Sequence, residues 1–164
     1  MLIGLKIVVP VLAPAPSSLI SFIRKIGEMF MVMVKMVEDG AASAEVQQIF
    51  DEIKTARKST WINNFWKVLA SSPSTLQRIW SNVKQVMAPG AIDPLTKEML
   101  YVAVSVTNNC EYCIHSHTAA ARAKGMTDEM YAELLAVVGL ANETNRLANG
   151  YQIPVDEQFK PKFD

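Results

Sequence analysis

From Ser43 onward, apolar positions recur at the 3.6-residue period of amphipathic helices and not at the alternating period of strands. Val46, Ile49, Phe50 and Ile53 fall at i, i+3, i+4 and i+7 behind Ser43, which can N-cap the helix they predict. A short amphipathic piece follows over residues 61–70, with Trp61, Phe65 and Trp66 among its apolar positions. Ser72-Pro73 then supplies a cap followed by proline at the first helical position, and Leu76, Ile79, Trp80, Val83 and Met87 keep one face until Ala88-Pro89-Gly90 ends it. Asp93-Pro94 repeats that start, and the helix it opens is predicted to run towards Asn109. Its stretch over 99–104 is apolar all round, which suits the centre of a bundle or contact with a neighbouring subunit. Asn108-Asn109 marks a stop or a kink. The next helix is expected over 113–124, with Gly125 at C′. Thr127 caps a last long helix, Met126 and Tyr131 are spaced as a hydrophobic staple, and Leu134, Leu135 and Val138 carry its apolar face towards Asn149. The expected fold class is therefore all-α: about six helices in one domain over residues 43–150, with an extended tail over 151–164.

Residues 1–42 read differently, as an N-terminal extension of uncertain role. Residues 1–15 are apolar apart from Lys6, but Pro10 and Pro14 break the run, and Lys6 lies inside it where a secretory signal would have an unbroken apolar core. The run is too short and too rich in proline for a transmembrane helix. Residues 19–37 are apolar again but interrupted by Arg24, Lys25, Glu28 and Lys35. A targeting segment, an extension packed on the domain or on a partner, and upstream sequence read into protein are the alternatives, and no function is built on them.

Sixteen basic and sixteen acidic residues in 164 cancel, so no basic stripe argues for nucleic acid, and no membrane partner is expected. Two cysteines in a chain of this length do not form a disulfide scaffold. They suit a redox or metal role in a reducing cytoplasm.

Both cysteines and both histidines of the chain fall in the run Cys110-Glu111-Tyr112-Cys113-Ile114-His115-Ser116-His117. On a helix Cys110, Cys113 and His117 share a face, and Cys113 with His117 forms the i, i+4 pair that meets most directly. An imidazole can take the proton of a neighbouring thiol, and a helix N-terminus favours the thiolate. The thiolate attacks a peroxide or a disulfide, and the second cysteine resolves the intermediate. Cys113 is the expected attacking thiol and Cys110 the resolving one; the reverse order, as in thioredoxin-type sites, stays open.

Glu98 precedes Cys110 by twelve residues, and together with Cys-x-Tyr-Cys-x-x-x-His it resembles the core motif of the AhpD-like alkylhydroperoxidases of the carboxymuconolactone decarboxylase superfamily. The resemblance covers about residues 43–150 and includes Leu69-Ala70-Ser71-Ser72-Pro73, Leu95-Thr96-Lys97-Glu98 and Asn145-Arg146. It implies an all-helical fold, trimers or hexamers, and a thiol-based alkyl hydroperoxidase or disulfide reductase. It assigns Cys110 and Cys113 to the redox pair, Glu98 to the acidic end of a proton relay and His117 to its histidine. The chain departs from the pattern at Tyr112, where the alkylhydroperoxidases carry a further histidine. His115 has no counterpart.

With no flavin or haem motif, no cofactor is expected; a small-molecule hydroperoxide is the substrate and an external dithiol supplies the electrons. One geometric difficulty stands. Twelve residues of unbroken helix would hold Glu98 about 18 Å from Cys110, so the helix must fold back near Asn108-Asn109, or another subunit must lend its Glu98.

Blander readings sit beside these. Buried free thiols or a Cys/His metal site are alternatives for the cysteine run, although such short spacing makes one tetrahedral site difficult on a regular helix. Glu98 alone reads as a first-turn glutamate favoured by the helix dipole. Tyr112 reads as packing or as a phenol donor. Asn142, Asn145 and Asn149 form either a solvated stripe or the wall of a cleft. The competing functions are an acid–base enzyme like the lactone decarboxylases, and a non-catalytic dithiol redox sensor.

Overall fold

In a computed structural model of the chain, residues 33–161 are described, together with Pro16. Most of the N-terminal extension, residues 1–15 and 17–32, thus lies outside the described residues, as does the end of the tail, 162–164. The described residues are all-helical: α1 (Ala44–Arg57), α2 (Asn64–Leu69), α3 (Pro73–Met87), α4 (Pro94–Thr107), α5 (Glu111–Ala123) and α6 (Asp128–Gly150), then a single 3₁₀ turn, Glu157–Phe159. That turn is the one element the sequence pattern missed, having read the tail as extended.

Two compact units part between Trp80 and Ser81, within α3. In the first, Ser43 caps α1 by accepting from the Val46 N–H, and Val46, Ile49, Phe50 and Ile53 are all buried. Trp66 of α2 meets Trp80 of α3 edge to face, 5.6 Å between ring centroids, a geometry that suits the positive rim and negative face of aromatic rings. The four aromatics of the predicted apolar faces divide: Trp66 and Trp80 are core, while Trp61 and Phe65 are exposed.

The second unit holds α4, α5 and α6. Asp93 caps α4 through the Thr96 N–H, 2.9 Å, with Pro94 at the first helical position. Glu98, Val102 and Ser105, at i, i+4 and i+7, are the buried face of α4. α5 lies against α4, and α6 covers α4 as well; Asn142 of α6 donates to Thr107 Oγ1 at 3.1 Å. The polar stripe anticipated on the last helix is therefore in part a tether between helices. The all-apolar stretch of α4 is only half covered: Val102 is fully buried, whereas Leu100 and Val104 are 52% and 58% exposed.

Candidate active site

The fold-back that the motif requires occurs where the asparagines are. Asn109 has φ 55°, the left-handed region that Asn tolerates better than most residues. The Cys110 N–H bonds to the Ser105 carbonyl at 3.0 Å and the Asn109 N–H to the Val106 carbonyl at 3.2 Å. This is a Schellman ending, which satisfies carbonyls that the end of α4 would otherwise leave bare. Cys110, the residue that closes α4, is also the N-cap of α5: its carbonyl accepts from the Ile114 N–H at 2.9 Å. One residue ends a helix and begins the next, so the two helices run in opposite directions.

Cys110 and Cys113, Cα atoms 5.3 Å apart, form a disulfide across the first turn of α5. Both are half-buried. Further along α5, His117 turns towards α4, where Glu98 is 6% exposed. His117 Nδ1 stands 2.7 Å from Glu98 Oε2. A carboxylate can only accept, so Nδ1 carries the hydrogen and donates it, which leaves Nε2 as the basic nitrogen. Lys124, the C-cap of α5, donates from Nζ to the other oxygen, Glu98 Oε1, at 3.0 Å. Burial opposes the charge on Glu98, but the hydrogen bonds from His117 and Lys124, together with their charge, outweigh it and hold the carboxyl below its ordinary value. The Tyr101 ring stacks on His117, 3.6 Å between centroids and 16° from parallel.

Fold-back brings Glu98 and His117 into direct contact within a single chain, and the sulfur pair opens the same helix that carries His117. Tyr112 is exposed, as is His115. Among the described residues no three His, Cys, Asp or Glu side chains gather as a metal-binding group. No helix among them is long and apolar enough to cross a membrane.

Sequence reasoning missed Lys124 and Tyr101. Signals for both were present. Lys124 follows His117 by seven residues and Tyr101 follows Glu98 by three, so each shares a helix face with a residue already singled out.

Residues 73–156 match the carboxymuconolactone decarboxylase family, just over half of the chain. The chain belongs to that family. The crystal structure of the alkylhydroperoxidase AhpD core from Rhodospirillum rubrum is 52% identical, covers 79% of this chain and 97% of its own length, and superposes with a TM-score of 0.76. The uncharacterized protein 4 in the cox locus of Paracoccus denitrificans is 41% identical over 54 residues, 33% of this chain and 49% of the relative. The alkyl hydroperoxide reductase AhpD of Solibacter usitatus is 33% identical over 72 residues, 44% of this chain and 39% of the relative. The chain thus spans half or less of the length of these two curated relatives. The segment matched to the carboxymuconolactone decarboxylase family runs from the first residue of α3 into the tail, and it contains Glu98, both cysteines, His117 and Lys124.

Proposed function

We propose that the protein is a thiol-dependent peroxidase that reduces alkyl hydroperoxides through Cys110 and Cys113, with Glu98 and His117 as a proton relay. The observation that carries this reading is the part-buried contact between Glu98 of α4 and His117, 2.7 Å, with His117 on the helix whose first turn holds the dithiol. In the reduced state His117 Nε2 takes the proton of the Cys113 thiol. The thiolate attacks the outer peroxide oxygen, the O–O bond breaks, and the alkoxide leaves as an alcohol after accepting the proton from His117. Cys113 is now a sulfenic acid. The Cys110 thiol condenses with it, releasing water and forming the disulfide. An external dithiol then reduces that disulfide by exchange and is itself oxidised. Tyr101, stacked on the imidazole, limits its rotation while the proton moves. Tyr112, exposed between the cysteines, is the candidate phenol donor to the hydroperoxide.

The N-cap position of Cys110 favours a second reading of the order, in which Cys110 attacks, because a thiolate there faces the positive end of α5. Cys113→Ser and Cys110→Ser variants separate the two, since the sulfenic acid is trapped on whichever cysteine attacks. The acid–base alternative, a lactone decarboxylase activity, needs no dithiol and survives replacement of both cysteines. The peroxidase reading requires that such a variant lose turnover. In a dithiol sensor, oxidation would alter assembly or binding without repeated turnover.

The reading extends to a homo-oligomer in a reducing, cytoplasmic compartment. Exposed Leu100 and Val104 on α4, and Val137 and Leu140 on α6, supply the apolar surface a second copy would cover.

A further inference from the structure

We propose that Lys124 is a positioning residue of the relay, a fixed cation that keeps Glu98 anionic and its Oε2 turned to His117. The catalytic consequence rests on the peroxidase reading; the charge arrangement does not. An isolated carboxylate buried as deeply as Glu98 is driven towards its neutral form. Protonated, it would lose the charge that holds Nδ1–H and fixes the imidazole tautomer. The two oxygens have separate partners: Oε1 takes the Lys124 ammonium at 3.0 Å and Oε2 the His117 ring at 2.7 Å. By occupying one oxygen, Lys124 fixes the rotation of the carboxylate and reserves the other oxygen for the histidine.

The ordinary place for a lysine at a helix C-terminus is in solvent near the last carbonyls of its own helix. This one reaches instead to a carboxylate twenty-six residues earlier. Its side chain remains 38% exposed against 9% for that of Glu98, so the ammonium keeps part of its hydration while its field reaches a group that has little. The charged groups bonded to Glu98 are His117 of α5 and Lys124 at its C-cap. Facing His117 from α4 are Glu98 and Tyr101. Removing Lys124 deletes one positive charge beside Glu98, so the carboxyl holds its proton more tightly. A relay whose carboxylate must be ionised to hold Nδ1–H then fails at a higher pH.

The full chain is compared as wild type, Lys124→Met and Lys124→Arg for reduction of cumene hydroperoxide with dithiothreitol across the acid and neutral range. In parallel, the isotope-labelled carboxyl resonance of Glu98 is titrated by NMR in the oxidised protein, with Lys124→Gln added in case the methionine variant does not fold. The acid limb of kcat/KM is expected to move up by about one pH unit in Lys124→Met, and arginine to restore it. The Glu98 midpoint is expected to rise in the methionine and glutamine variants. Unchanged carboxyl midpoints, or overlaid pH profiles in an active enzyme, would overturn the proposal. A wild type that consumes no hydroperoxide, with the midpoint still raised by the substitutions, sinks the peroxidase reading and supports the charge role of Lys124.

Discussion

Glu98 shows how far one residue's role depends on what folds against it. In the sequence it reads as a first-turn glutamate; in the structure it is the fifth residue of α4, past the first turn, and a buried carboxylate with a different donor on each oxygen. Because its folded carboxyl releases a proton more readily than the ordinary value of 4.5, the folded state binds fewer protons between the two midpoints. Its contribution to stability is thus fully present above about pH 4.5 and is lost as pH falls through the lower, folded midpoint. Acid denaturation followed by circular dichroism should show part of this loss vanish in Glu98→Gln. Equal acid sensitivity in the two proteins would mean that the carboxylate adds nothing to the fold. At His117, replacement by alanine should lower peroxide turnover by about a hundredfold or more, the range for removing a positioned general base, with the disulfide still able to form under oxidation. The residues of the Cys110–Cys113 bond and of the Glu98–His117 contact could be singled out in the sequence because their spacing is distinctive. Lys124 and Tyr101 were not singled out because a lysine near a helix end and a tyrosine on an apolar stretch have ordinary explanations.

At the scale of elements, what positions the site is the reversal at Asn109 and Cys110. Left-handed backbone costs a β-branched residue about 1–2 kcal/mol and glycine almost nothing. Asn109→Val should therefore lower thermal stability by that amount and Asn109→Gly should hold or raise it, both read from melting curves. Lys58 occupies the same left-handed region after α1, at φ 51°, where the Ser59 N–H reaches the Lys54 carbonyl. Lys58→Gly should accordingly stabilise the protein by about 0.5–1 kcal/mol; a neutral or destabilising effect would show that this backbone is not strained. Helix starts were readable because Ser43, Asp93 and Thr127 carry capping oxygens, and each does cap its helix. The endings were harder. Gly125 and Asn109 advertise a left-handed residue, but Lys58 and Gln152 do not, and both adopt it because the chain beyond the helix needs that turn. The 3₁₀ turn at Glu157–Phe159 had no periodic signal, since three residues are too few to show one.

For the whole molecule, the apolar excess on α4 was legible as a tendency to be covered, but a single chain covers only part of it. Leu100 and Val104 remain exposed on the helix that carries Glu98. Sedimentation of the wild type should give more than one chain per particle, and Val104→Asp should shift it towards monomer; a wild type that sediments as a monomer removes the case for assembly. The peroxidase chemistry as a whole stands on the dithiol. Fully reduced protein, titrated with an alkyl hydroperoxide in a single turnover and followed by mass spectrometry of the peptide bearing Cys110 and Cys113, should consume one peroxide per dithiol. It should pass through a sulfenic acid and end with the Cys110–Cys113 disulfide, which an external dithiol then reopens. A thiol pair left unchanged by the peroxide would contradict it.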